Sequence, residues 1–128
     1  MERRFAKHYT VAEARALIPQ LRGWLTQLQR VRRDLASYDQ STVARLQTGE
    51  EFGGGKVHQW VRNIAEFREL HGEFACREIQ LKDIERGLLD FPAIHAGREV
   101  FLCWEMSEDT ITHWHDLDTG FAGREPLE

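Results

Sequence analysis

LLDFPAIHAGREVFLCWEMSEDTITHWHDLDTGFAGREP, running from Leu88 to Pro126, is the stretch on which the fold turns. Its apolar runs are too short for helices and are cut apart by turn-forming residues. Leu88 to Phe91 reads as a strand stopped by Pro92, which brings no ladder donor. Ala96-Gly97 marks a turn. Val100 to Trp104 is apolar throughout, the pattern of a strand at the centre of a sheet. Ser107-Glu108-Asp109 turns the chain, Thr110 to His115 returns as a further strand, and Asp118 to Gly123 is loop. Two of the four tryptophans and one of the two cysteines fall here. Three of the six histidines join them, so side chains able to do chemistry crowd into short sheet segments.

Working outward, Ile79 and Leu81 alternate with Gln80 and Lys82 as a short strand, and Glu85-Arg86-Gly87 reads as a turn. Further back the period becomes helical. Trp60, Ile64, Phe67, His71 and Phe74 step by four and three residues in a helix from about Val57 into the late seventies. His71 on this seam reads as a hydrogen-bonded core residue. Residues 40–56 form a polar connection around Gly53-Gly54-Gly55, read as a loop. It reads Gly-Lys-Val, not Gly-Lys-Ser/Thr, so it is no phosphate cradle.

The first helix opens with Thr10-Val11-Ala12-Glu13, a capping box with Tyr9 as its staple. Leu17, Leu21, Trp24, Leu28, Val31 and Leu35 follow as a heptad seam. Ile18 and Leu25 widen it, so the helix meets more than one neighbour. Pro19 predicts a kink or break near Ile18. The helix is expected to end around Ser37 to Asp39. The sum is an α+β chain: a long N-terminal antiparallel helical hairpin over 10–78, then a small antiparallel β-meander over 79–126, in one domain spanning 1–128.

Composition sets the class. The chain is 41% hydrophobic and 30% charged, a globular balance. No apolar run reaches the ~20 residues of a membrane span. MERRFAKHYT has no apolar region behind its basic residues, so it is no secretory signal. A soluble, cytoplasmic protein is expected, with Cys76 and Cys103 reduced. The net charge of −4 is uneven: residues 1–40 carry eight Lys/Arg against four Asp/Glu, the remainder nine against seventeen. Arg30, Arg32 and Arg33 form a basic cluster. With no aromatic interleaving or nucleic-acid motif, they read as a solvated helix face or as an internal match to the acidic half, rather than as a nucleic-acid contact.

For chemistry, Cys103, His113 and His115 are metal-ligand types that suit zinc, with Asp116, Asp118 or water as a fourth ligand. His113 and His115 share a strand face. Cys103 joins them if it lies opposite His113 and points away if it lies opposite Thr112. Cys103 as a nucleophile would need one of these histidines as base, yet Val-Phe-Leu-Cys-Trp marks it as buried. Lys82, Asp83, Asp90, Arg98, His115 and Arg124 form a polar set. Asp90, inside Leu-Leu-Asp-Phe, needs a partner such as Arg98 or Arg124. Asp90, His115 and Arg124 are the candidate acid–base residues.

Lys82-Asp83, Gly87-Leu88-Leu89-Asp90-Phe91-Pro92, Leu102-Cys103-Trp104, Trp114-His115, Gly120-Phe121 and Gly123-Arg124 together resemble a family of short prokaryotic proteins known as domain of unknown function 2203. Tyr9 to Ala14, followed by Leu17-Ile18-Pro19-Gln20-Leu21, is similar to that family's opening helix. The departure is Glu78, where the resemblance leads one to expect glycine. The resemblance implies a small bacterial protein and no activity, substrate or cofactor.

Two functions stand open. One is a non-enzymatic structural or interaction module that self-associates through its helices, as a dimer. The other is a zinc-like metal or acid–base site on the C-terminal sheet around Asp90, His113 and His115, with Cys103 and Asp116 as further candidate ligands.

Overall fold

The computed structural model describes residues 2–48 and 54–127, and of 39–48 and 54–56 only the backbone. Two helices, α1 (Val11–Thr48) and α2 (Gly54–Ala75), precede five strands. These are β1 (Gln80–Asp83), β2 (Leu88–His95), β3 (Arg98–Glu105), β4 (His113–Asp116) and β5 (Glu125–Pro126). The strands form one antiparallel sheet in sequential order, so the meander is as expected and β3 lies at its centre.

The capping box forms reciprocally. The Thr10 amide donates to Glu13 Oε1 at 2.9 Å and the Glu13 amide to Thr10 Oγ1 at 3.1 Å. Opposed pairs show that the helices run antiparallel: Trp24 meets Phe74, Arg30 meets Glu66, and Tyr38 stacks on Trp60. The fully buried stripe of α1 is Ala14, Leu21, Leu25, Leu28 and Val31, with Ile18 nearly so. Leu17, Trp24 and Leu35 of the expected seam flank it, because the sheet pulls the buried face toward Ile18 and Leu25. Arg15 and Arg22 reach from α1 to the carbonyls of Ile111, Met106 and Glu108, tying the helix to the β3–β4 connection.

Several expectations are corrected. The first helix runs to Thr48 and the second starts at Gly54, so Gly54 and Gly55 are helical. Residues 49–53, including Gly53, lie outside the described ones. The helix is not broken at Pro19. Arg15 and Pro19 are both exposed, so water can satisfy the Arg15 carbonyl that loses its donor. His71 is not in the core but exposed, stacked on Phe67.

Pro92 does not stop β2, which continues to His95. The ladder with β1 ends at the Gln80–Asp90 pair, so Pro92 sits where that side of β2 is open. Its carbonyl faces this side and accepts from the Tyr9 amide at 2.7 Å. The missing N–H points the same way and costs β3 no bond. β4 begins at His113, later than expected, and the presumed loop ends in a short 3-10 turn (Phe121–Gly123) and β5.

Alternation divides the sheet. Leu89, Phe91, Val100, Leu102, Trp104 and Trp114 join the helices in the main core. The opposite face carries the functional candidates.

Candidate functional site

Register sets the site. Cys103 pairs with both Asp90 and His113, and Phe101 with His115. Period-2 alternation therefore puts Asp90, Cys103, His113 and His115 on the same face, away from the helices. Asp90, Cys103 and His115 are buried, and their ligand atoms all lie within 4.8 Å of one another. They form the base of a cavity of about 210 Å³ whose walls include Leu88, Phe101, Leu117 and Phe121, with Lys82 at its edge.

The expected partners of Asp90 are engaged elsewhere. Arg98 pairs with Asp116 at 3.2 Å, and Arg124 with both Glu108 oxygens at 3.0 Å. Asp90 instead meets His115: Oδ1 lies 2.9 Å from Nε2, with both side chains almost wholly buried. The other ring nitrogen, Nδ1, lies 2.7 Å from the Asp116 carbonyl oxygen. A carbonyl only accepts, so Nδ1 carries a proton. A further proton then lies between Nε2 and Oδ1, in an imidazolium–carboxylate pair or a neutral pair with the acid donating. Burial pushes the Asp90 carboxyl above the usual range, opposed by the His115 hydrogen bond and by the charges of His115 and Lys82.

Cys103 is buried as expected, but against this cavity and outside the main core. Burial, then the Asp90 charge, pushes its thiol up to about 12 although Arg124 pulls it down. The unliganded thiol is no nucleophile near neutral pH. His113 is half-buried and its Nδ1 lies 2.8 Å from Thr112 Oγ1, outside the close group. Asp116 contributes its backbone carbonyl to His115 and its carboxylate to Arg98. Asp118 pairs with Arg4 at 2.7 Å.

Two features were not among the candidate site residues. The guanidinium groups of Arg86 and Arg124 both lie over the Phe121 ring, 4.6 and 4.1 Å from its centre, and Phe121 walls the cavity. The N-terminal segment straps over the same face: Phe5 packs on Phe101, which packs on His115. The Arg4 and Phe5 amides and His8 Nε2 all meet the Glu99 carboxylate. Phe5 and Phe121 are single aromatics in polar surroundings, without a periodic signal.

The basic cluster is spent internally, Arg30 on Glu66 and Asp34, Arg32 and Arg33 on Glu85. Among the described residues no helix is long and apolar enough to cross a membrane. No curated protein and no solved structure matches the chain. A family model described as "Uncharacterized conserved protein (DUF2203)" matches residues 7–127, nearly the whole chain. The polar cluster therefore lies within the matched region, and the chain belongs to the DUF2203 family.

Proposed function

We propose that this chain binds a divalent, zinc-like metal ion through Asp90, Cys103 and His115, with an open coordination position facing the cavity. The observation that carries this reading is the convergence of a carboxylate, a thiol and an imidazole in one buried group within 4.8 Å. Tetrahedral zinc sets its ligand atoms roughly 3.3–3.8 Å apart, from bonds of about 2.0–2.3 Å. The 2.9 Å Asp90–His115 separation and the 4.8 Å outer limit bracket that spacing. His115 is held as a metal-binding histidine commonly is, Nδ1 on a backbone carbonyl and Nε2 turned to the group. A bound ion would take the place of the shared proton and deprotonate the thiol. Carboxylate and thiolate together would balance its two charges inside a buried site.

Three protein ligands and one open position match the form of catalytic rather than structural zinc sites. The chemistry such an ion supplies is Lewis-acid polarisation or activation of a water. In this reading His113 and Asp116 are neighbours rather than ligands.

Metal analysis of the full chain, purified without a histidine tag or chelator, tests the proposal. About one zinc-like ion per chain is expected for the single site. Cobalt(II) should give a thiolate-to-metal charge-transfer band that Cys103→Ser abolishes. Absence of stoichiometric metal together with absence of that band overturns the reading.

A second reading, self-association through the helices, is favoured by Val57 and Val61. They lie one turn apart on α2 and are 42% and 52% exposed. Sedimentation of the full chain over a range of concentrations tests it.

A further inference from the structure

The cavity above the close group has its own chemistry. Among the described residues lining it, Lys82 is the one lysine or arginine. Its ammonium lies 5.6 Å from the centre of the Phe101 ring. Among the described residues no carboxylate lies within ion-pairing distance of it, whereas Arg86 and Arg124 beside Phe121 are held by Glu105 and Glu108. The walls are otherwise mainly apolar: Leu88, Phe101, Leu117 and Phe121. The volume of about 210 Å³ corresponds to roughly seven waters at about 30 Å³ each. That is below the ~300 Å³ at which drug-sized ligand sites begin.

With a divalent ion balanced by Asp90 and Cys103, the charge left facing the cavity is the single positive charge of Lys82. We propose that the cavity binds a small organic monocarboxylate, its carboxylate paired with Lys82 and its apolar body against Phe101, Leu117 and Phe121. A small anion satisfies the lysine, and a body of a few carbons covers the aromatic and aliphatic walls. A dianion would leave one charge unpaired against those walls, and an amine would face the ammonium. The ligand's apolar body then lies over the open coordination position and displaces the solvent there, which is what the metal's spectrum would register. This inference rests on the metal reading and supplies its ligand class.

The test uses the full chain loaded with cobalt(II), whose visible bands report on the coordination sphere. Butyrate and benzoate should shift those bands saturably, and butylamine should not. Lys82→Met should weaken both carboxylates about tenfold, the loss of one favourable charge pair. Lys82→Arg should retain most of the affinity. Lys82 is exposed, so its replacement leaves the fold intact. A chain that forms no cobalt–thiolate band overturns the metal reading and this inference with it. A chain that forms the band but responds to neither carboxylate, or responds equally after Lys82→Met, overturns the carboxylate inference alone.

Discussion

In the metal-free chain the Cys103 thiol is held protonated, pushed up to about 12 by burial and by Asp90, while Cys76 is exposed. Iodoacetamide at pH 8 should therefore label one thiol of the native protein, and Cys76→Ser should abolish that labelling. Cys103 should react only after denaturation. Equal labelling of both thiols in the folded chain would contradict this burial. The same residues show what was legible. An acid inside Leu-Leu-Asp-Phe announces a buried charge in need of a partner, and Asp90 is such a residue. The partner was not legible, because Arg98, Arg124 and His115 all carry plausible donors. Register decided among them: Asp90 opposite Cys103 and His115 opposite Phe101 put the acid and the imidazole in reach. Likewise alternation puts His113 and His115 on one face, but His115 alone is held by the Asp116 carbonyl with its other nitrogen on the cluster.

Among the elements, the β2–β3 hairpin turns through Ala96 and Gly97, both with positive φ, 52° and 78°. This is the type I′ pattern that favours Asn-Gly, and alanine pays a steric cost in it. Ala96→Asn should stabilise the chain by about 0.5–1 kcal/mol in urea unfolding, without a change in the denaturant slope. A loss of stability would show that the turn is not built this way. Where an element's signal is local, the sequence showed it: the capping box, the two-residue turn and the apolar run of β3. Where tertiary context acts, it did not. Pro92 looks like a strand stop unless one knows that β1 ends beside Asp90 and leaves that side of β2 open. Glu78 stands where glycine was expected, and its φ of 59° confirms that the position is left-handed. It follows α2 in a Schellman turn, with the Ile79 amide on the Phe74 carbonyl and the Glu78 amide on that of Ala75. The side chain there has a use that glycine lacks: its carboxylate accepts from the Ala6 and Lys7 amides.

For the whole molecule, the helix pair is longer than the sheet requires. The Arg32 and Arg33 side chains touch the β1–β2 turn through Glu85, and α1 continues about four turns further, to Thr48. Tyr38 stacked on Trp60 belongs to this far end. If the exposed valines of α2 meet a second copy there, sedimentation should show a dimer that Val57→Glu with Val61→Glu converts to monomer. A wild-type chain that stays monomeric at every concentration ends that reading. The charge asymmetry read from the sequence also resolves at this scale. Among the described residues, the arginines of α1 pair with α2 or bind the edges of the sheet segment, so the basic and acidic parts of the chain are bound to each other.

The N-terminal strap has a consequence for how this protein stays apart from its own copies. Beyond Asp90 the outer side of β2 is an open strand edge, the kind of backbone on which another strand can grow. Pro92 presents no donor there, and Tyr9 occupies its acceptor. The preceding residues are clasped by Glu78 and Glu99, so a segment without strand structure closes the edge without extending the sheet. Proteolytic clipping before Tyr9 would leave the helices and the strand ladder in place. It would also unseat Phe5 from Phe101 and remove the residues clasped by Glu78 and Glu99, leaving Tyr9 alone over the β2 edge and opening a route to strand-to-strand aggregation in an otherwise folded chain.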